Sequence, residues 1–305
     1  MTFDLSRLDT VQLVPLTPFS ADTTTILADQ LAAFSKWQYD SGIRVFIPGA
    51  GTGEFHSLSA EEVVKCVTTV RSSVGDDAVV IAPIGMGIGH SLEIGKKSID
   101  AGADAFLVMS PIHPYLCDAG LREFFQTLMN ALPLPFLAYK KGPAPSDELL
   151  AELAGTGRLV GVKYAVNEVD AVTRFIQKNL GKVGVYCGTA ERFAPFFHLA
   201  GATGYTSGAG NICPRLTLAM HSALKQGDYA LAMNYLKIIR PIEDYRARAG
   251  DSYNISMLKV AIKLIGYDFG PVRPPQRQLT SAESAEVQQI LEPILEAELN
   301  LGNSR

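Results

Sequence analysis

The chain has 305 residues, of which 47% are hydrophobic and 19% charged, and its 27 basic and 31 acidic residues give a net charge of −4. This composition supports a large buried core and excludes a disordered chain or a coiled coil. Because the charges are nearly balanced and form no basic run, we expect no nucleic-acid partner.

Short apolar or β-branched runs alternate with longer amphipathic stretches over the first two thirds of the chain. The predicted strands are residues 11–14, 43–48, 79–84, 105–109, 135–139, 159–164, 183–187 and 204–207. Each interval between them has room for one helix. Parallel strands joined by right-handed helical crossovers close most naturally into a barrel. An open doubly wound sheet is the alternative, but its GxGxxG fingerprint does not occur in the sequence.

Helix signals support this α/β pattern. Ser59 with Glu62 forms a capping box, and Ser146 gives a second helix start. After residue 214 only helices are predicted, at 216–226, 229–248, 255–265 and 282–299. The predicted fold is therefore a (β/α)₈ TIM barrel over residues 1–226, with a C-terminal helical extension, residues 227–305, packed on it.

The N-terminal residues and the cysteines indicate a cytoplasmic protein. Asp4, Arg7 and Asp9 stand where a signal peptide needs an apolar core, and no apolar run is long enough to span a membrane. The four cysteines form no CxxC pair and no Cys/His cluster with zinc spacing. We therefore expect buried reduced thiols, no metal, no cofactor and no membrane partner.

Lys163 is the most informative candidate, because it ends the otherwise apolar run 159–163. At the C-terminal end of a barrel strand its amine would lie in the active-site mouth, partly removed from water. Desolvation lowers the pKa of an amine toward the range in which it attacks a carbonyl, as Schiff-base catalysis requires. A lysine that merely extends from a strand end to solvent is the alternative.

Two further strand ends carry suitable groups. Tyr139 ends the preceding strand, where a phenol can transfer protons, although it can also be a packed aromatic residue. After the second strand, Gly51 and Thr52 offer backbone N–H groups and a hydroxyl that suit a carboxylate. A tight turn would explain the glycines of this loop equally well.

Together these three sites resemble the dihydrodipicolinate synthase and N-acetylneuraminate lyase family of class I (Schiff-base) lyases, over nearly the whole chain. Gly51-Thr52-Gly53-Glu54 is similar to the carboxylate loop of that family, Tyr139 to its strand-5 tyrosine, Gly161-Val162-Lys163 to its imine lysine, and residues 204–211 to its strand-8 substrate loop. Within the family, residues 51–58 and 270–280 are most similar to the 5-dehydro-4-deoxyglucarate dehydratase branch.

The resemblance implies a small-molecule 2-keto acid substrate and a homotetramer or homodimer. In the dehydratase branch a 2-keto sugar diacid forms an imine, loses water and then loses carbon dioxide to give 2,5-dioxopentanoate. Lys163 would carry the imine, Gly51 and Thr52 would hold the carboxylate beside it, and Tyr139 would transfer protons. The distal polyol or carboxylate would be bound by Ser207 and Asn211.

Three departures from the synthase pattern concern proton transfer and charge. Leu116 takes the second tyrosine position of the strand-4 loop, so the intersubunit proton relay of the synthases is incomplete. His113, in the same loop, is a candidate catalytic substitute or an ordinary loop histidine. Gly51, which precedes Thr52, stands where the synthases carry their first threonine. Lys140 replaces the usual asparagine after Tyr139, and either points to solvent, lowers the pKa of Lys163 or binds a second carboxylate.

Other functions remain open from the sequence. The chain is also compatible with a dihydrodipicolinate synthase-like enzyme or another pyruvate-dependent aldolase. A non-catalytic barrel that binds a keto acid is a second class. A phosphate-binding isomerase is a third, with Gly208-Ala209-Gly210 as a weak phosphate loop.

Overall fold

A computed structural model describes residues 3–303, and it confirms the predicted barrel. Eight parallel strands follow one another around a closed sheet, and the last is hydrogen-bonded to the first. They are β1 (Val11–Leu13), β2 (Val45–Phe46), β3 (Val79–Ile84), β4 (Ala105–Val108), β5 (Phe136–Lys140), β6 (Leu159–Tyr164), β7 (Gly184–Cys187) and β8 (Gly204–Ser207). Apolar side chains of the strands are buried throughout, so the barrel encloses a packed core.

One helix follows each strand and covers the outside of the barrel. These are α1 (Ala28–Asp40), α2 (Ala60–Ser73), α3 (Ile88–Asp100), α4 (Asp118–Ala131), α5 (Asp147–Ala154), α6 (Val169–Lys178), α7 (Ala194–Ala200) and α8 (Pro214–Lys225). The predicted capping box before α2 is present, because the Ser59 hydroxyl accepts from the Glu62 N–H and the Glu62 carboxylate accepts from the Ser59 N–H. The Ser146 hydroxyl caps α5 in the same way.

The C-terminal extension contains α9 (Tyr229–Arg246), α10 (Arg248–Asp251), α11 (Asn254–Leu264) and α12 (Ser281–Asn303). Helix α9 packs on α8, and α12 packs on α8, α9 and α11. The helix predicted over 229–248 ends at Arg246, and beyond it Ala249 and Gly250 in α10 have left-handed φ angles of 47° and 65°. That left-handed turn brings the segment after α9 back over the barrel. The division of the chain into residues 1–226 and 227–305 stays a prediction.

Two properties of the described residues bear on the remaining expectations. None of the helices within residues 3–303 is long and apolar enough to cross a membrane. Cys66, Cys187 and Cys213 are buried free thiols, as expected, but Cys117 is exposed. The expectation was wrong for Cys117 because it lies in the exposed loop before α4 rather than in a strand or helix of the core.

Candidate active site

A cavity of about 850 Å³ lies at the C-terminal ends of the barrel strands. Five of the residues selected from the sequence line it, namely Gly51, Thr52, Tyr139, Lys163 and Ser207. The register of the sheet explains part of this grouping, because Tyr139 and Lys163 are paired across β5 and β6. Parallel strands end at the same rim of a barrel, so residues that are distant in sequence share one site.

Lys163 is the central amine of the cavity. The residue is 5% exposed, and its Nζ lies 4.2 Å from the centroid of the Tyr139 ring. Burial is the main cause that lowers the pKa of the amine to about 7, and the positive charges of Lys141 and Arg246 contribute to the same shift. Near neutral pH a large fraction of Lys163 is therefore the neutral nucleophile that imine formation needs.

Tyr139 remains a protonated phenol over the physiological range. Burial raises its pKa to about 12, and the negative charge of Asp251 acts in the same direction. Its ring lies over the Lys163 ammonium, and the residue lines the cavity. The group can therefore donate a proton beside the amine, and the conjugate base can take one back.

The carboxylate loop forms a 3₁₀ turn at Gly51–Gly53. Glycine is required at position 53, because a Cβ there would lie 2.9 Å from the Pro15 carbonyl oxygen. The Gly53 carbonyl also accepts a hydrogen bond from the Thr17 hydroxyl at 2.7 Å. Thr52 is half-buried at the cavity wall. Its hydroxyl and the N–H groups of the turn form a set of donors for an anion.

Glu54 connects this loop to the C-terminal extension. It has a left-handed φ of 67°, and its buried carboxylate lies 2.7 Å from the Lys259 ammonium of α11. The same carboxylate accepts from the Arg273 N–H and the Gln276 amide, both at 2.9 Å. The extension thereby fixes the position of the turn that carries Thr52. The sequence analysis had identified these two segments separately, without this link.

Ser207 lines the cavity, but its hydroxyl already makes two hydrogen bonds within the protein. Its hydroxyl donates to Glu191 and accepts from the Gly210 N–H at 2.8 Å. Glu191 is fully buried, and burial together with the nearby Glu243 raises its pKa to about 7. Substrate contact by Ser207 therefore requires a shared hydroxyl rather than a free one.

Asn211 makes hydrogen bonds that hold the fold together and does not line the cavity. Its amide nitrogen donates to the carbonyls of Val14 and Gly208 at 2.9 and 3.0 Å, and its amide oxygen accepts from the Leu16 N–H at 3.0 Å. Both donors are therefore occupied, and the side chain is fully buried outside the cavity lining. The predicted substrate contact is replaced by a structural role, in which Asn211 joins the β8 loop to β1.

His113 is not brought to Lys163 within one chain. Its ring is exposed on the loop after β4, and its Nδ1 accepts from the Tyr115 N–H at 3.1 Å. The cavity lining includes Ile112 and Leu116 of this loop but not His113. Any role of His113 in this chemistry therefore depends on a second chain.

The two lysines after β5 have different positions. Lys140 is buried and donates to the Pro145 carbonyl at 2.7 Å, with Asp147 at 3.3 Å, so it faces the start of α5 and not the substrate. Lys141 lines the cavity instead. The like-charge effect that the sequence assigned to Lys140 thus belongs to Lys141.

The sequence analysis missed cavity residues that come from the extension. They are Glu243 and Arg246 of α9 and Asp251 of α10. Within residues 3–303 no group of three or more His, Cys, Asp or Glu side chains is placed to hold a metal ion.

Comparisons with known proteins give a consistent family. The dihydrodipicolinate synthetase family matches residues 8–294. A probable 5-dehydro-4-deoxyglucarate dehydratase of Saccharopolyspora erythraea is 34% identical over 283 residues, covering 89% of both chains. The corresponding protein of Ralstonia nicotianae is 31% identical over 295 residues and covers 93% of this chain and 92% of its own. The crystal structure of dihydrodipicolinate synthase from Oceanobacillus iheyensis superposes with a TM-score of 0.90 at 34% identity, covering 94% of this chain and 97% of that one.

Proposed function

The chain belongs to the dihydrodipicolinate synthetase family, and from this premise we propose that it is a Schiff-base lyase that dehydrates and decarboxylates a 2-keto sugar diacid. The observation that carries the proposal is the Lys163 amine, buried at the end of β6 with a pKa of about 7 and directed at the cavity. A barrel that only binds keto acids has no need of a desolvated amine, which argues against the non-catalytic alternative.

The first step forms the imine. The nitrogen of Lys163 attacks the ketone carbon, and the carbinolamine loses water to give a protonated imine. Tyr139 supplies the proton for the departing hydroxyl. The phenolate then takes up the proton that the neighbouring methylene loses in the next step, since the pKa of about 12 favours the protonated phenol. The turn at Gly51 and Thr52 holds the carboxylate beside the imine carbon.

The imine then acts as an electron sink. Loss of a proton from the neighbouring methylene gives an enamine, whose electron pair expels the β-hydroxyl as water. In the resulting conjugated imine the bond to the distal carboxylate breaks, and its electron pair passes through the new double bond to nitrogen while CO₂ leaves. Protonation of the resulting enamine restores the imine, and the enol left by the departing CO₂ tautomerises to the aldehyde. Hydrolysis of the imine by water then releases the 2,5-dioxopentanoate product and frees Lys163.

The diacid is favoured over other keto acids on two grounds. The relatives in Saccharopolyspora and Ralstonia carry the name of the dehydratase. Lys141 and Arg192 add cationic groups to the cavity lining, and Arg246, paired with Glu243, adds N–H donors, which suits a substrate with two carboxylates. The structural similarity to dihydrodipicolinate synthase keeps pyruvate-dependent condensation as the second candidate.

The proposal includes the assembly and its place in the cell. We place the enzyme in the cytoplasm as a homotetramer or homodimer, as the family resemblance implies. His113 would then transfer protons in the cavity of a second protomer. Its loop exposes apolar side chains, with Ile112 66% and Tyr115 85% exposed, which is compatible with burial between chains.

A comparison of two reactions tests the substrate. The enzyme is given 5-dehydro-4-deoxyglucarate in one assay, and pyruvate with aspartate semialdehyde in the other. Release of CO₂ with 2,5-dioxopentanoate at the higher kcat/KM supports the dehydratase. Faster condensation of the semialdehyde would replace it with the synthase reaction.

A further inference from the structure

The guanidinium of Arg246 is an unusual group for the wall of a barrel cavity, because it comes from the C-terminal extension. It lies near the end of α9, its side chain is 7% exposed, and it belongs to the cavity lining. It reaches the rim of β8 by passing over Gly208. A Cβ at Gly208 would lie 2.3 Å from both terminal nitrogens of the guanidinium, so only glycine leaves room for it there.

Three hydrogen bonds fix the orientation of this guanidinium. Its Nε and one terminal nitrogen donate to the Asn254 carbonyl and side-chain oxygens, at 3.2 and 2.7 Å. The other terminal nitrogen donates to the Glu243 carboxylate at 2.5 Å. A guanidinium has five N–H groups, so among the residues that the structure describes these bonds leave one N–H on each terminal nitrogen.

We infer that Arg246 recognises the distal carboxylate of the substrate and thereby selects a 2-keto diacid over a monoacid. This inference rests on the proposed function, since it requires the keto end of the substrate to be held at Lys163. Two N–H groups on one planar group match the two oxygens of a carboxylate. Arg246 and Lys163 also line the same cavity.

Glu243 makes this recognition compatible with the loss of CO₂. A full positive charge beside a carboxylate stabilises the anion and opposes its departure as a neutral molecule. Because Glu243 is paired with Arg246 and is itself buried, the pair offers directional donors with little net charge. Arg246 therefore orients the carboxylate, while the imine at Lys163 accepts the electrons. Ser207 and Asn211, to which the sequence assigned this end of the substrate, are engaged with Glu191 and the backbone.

Two unreactive keto acids of equal length test the inference. 2-Oxoadipate carries the distal carboxylate and 2-oxohexanoate does not, and neither has a hydroxyl to eliminate. Borohydride traps the imine as a stable amine, and intact mass gives the concentration of each acid at which half of the protein is modified. Peptide mapping confirms that the adduct is on Lys163. For the wild-type protein, the half-saturating concentration of 2-oxoadipate is expected to be at least about tenfold lower than that of 2-oxohexanoate.

Three variants separate recognition from folding. Arg246→Lys keeps the charge and loses the planar fork, so the preference for 2-oxoadipate should fall several-fold. Glu243→Gln/Arg246→Gln removes the buried pair without leaving a lone charge, and the two half-saturating concentrations should then agree within about twofold. Arg240→Gln is the matched control, because it removes an arginine of the same helix that is outside the cavity lining, and it should keep the wild-type ratio.

The outcomes distinguish the inference from the proposal beneath it. Equal half-saturating concentrations in the wild type, or a wild-type ratio in both Arg246 variants, would overturn the role of Arg246 while the lyase proposal stands. No adduct on Lys163 with either acid would overturn both. If the double variant is unfolded by circular dichroism, the ratio in Arg246→Lys decides.

Discussion

The Nζ of Lys163 lies 4.2 Å from the centroid of the Tyr139 ring, and the two residues are partners in the β5–β6 register. Burial at this position favours the neutral form of the amine, and the phenol is close enough to take part in the proposed imine chemistry. In the proposed mechanism one strand pair therefore supplies both the nucleophile and its proton donor.

Tyr139→Phe separates these two contributions. The ring and its packing remain, so Lys163 should still form a trappable imine, but the proton donor is lost. We expect kcat to fall by about 10²- to 10⁴-fold, as for the loss of a general acid–base group. Tyr235→Phe, on α9 outside the cavity lining, is the control. Unchanged turnover in Tyr139→Phe would assign proton transfer to another group.

Lys141→Gln should move the pH dependence of imine formation to higher pH. Burial is the main cause of the lowered Lys163 pKa, and the positive charge of Lys141 adds to it. Removing that charge raises the pKa, so the acidic limb, near pH 7 in the wild type, shifts upward. This shift is measured as the midpoint of the pH profile for the rate of adduct formation with pyruvate, recorded from pH 5.5 to 9 at low salt.

The exposed Lys36 provides the control for this experiment. Lys36→Gln makes the same charge change on α1, outside the cavity lining, and should leave the midpoint in place. A downward shift in Lys141→Gln, or the same shift in both variants, would contradict the proposed electrostatic effect.

Lys259→Met tests the connection between the extension and the carboxylate loop. The variant leaves the buried Glu54 carboxylate without its cation, which we expect to cost roughly 3–5 kcal/mol of the free energy of unfolding. Glu54→Gln/Lys259→Met removes both charges and should recover most of that loss. Urea unfolding measures the stability, and the KM for the keto acid should rise in both variants because the loop carrying Thr52 is no longer fixed. A double variant as unstable as the single one would contradict a charge-pair origin.

His113→Phe tests whether the strand-4 loop serves a neighbouring protomer. A loss of one to two orders of magnitude in kcat, about 1.4 to 2.7 kcal/mol of barrier, is expected for a proton-transfer group. Mixed oligomers of His113→Phe with Lys163→Ala should then recover activity, because some cavities combine an intact lysine with an intact loop. If His113→Phe keeps the wild-type kcat, the residue is only part of the loop.

The barrel could be predicted from the sequence because the signals for its strands and helices are local. Each strand is a compact apolar run, and caps such as Ser59 mark helix starts. The rim position of Lys163 follows from the same pattern, since a polar residue that ends a barrel strand lies at the C-terminal mouth. Burial then determines its pKa, and burial was part of the prediction.

The contribution of the C-terminal extension to the cavity could not be predicted from the sequence pattern. Arg246 is one of several charged residues on an amphipathic helix, and only tertiary packing distinguishes it from the more exposed Arg240. Asn211 shows the opposite case, because a polar residue in a strand-8 loop suggested substrate binding, whereas the backbone groups of Val14 and Leu16 occupy its amide. Neither outcome depends on spacing along the chain.

The most direct test of the account is the site of the imine. The protein is incubated with pyruvate or with the keto sugar diacid, reduced with borohydride, digested and mapped by mass spectrometry. The account predicts one adduct, on Lys163, none on Lys140 or Lys141, and none in Lys163→Ala. An adduct on another lysine, or full turnover by Lys163→Ala, would contradict the Schiff-base mechanism.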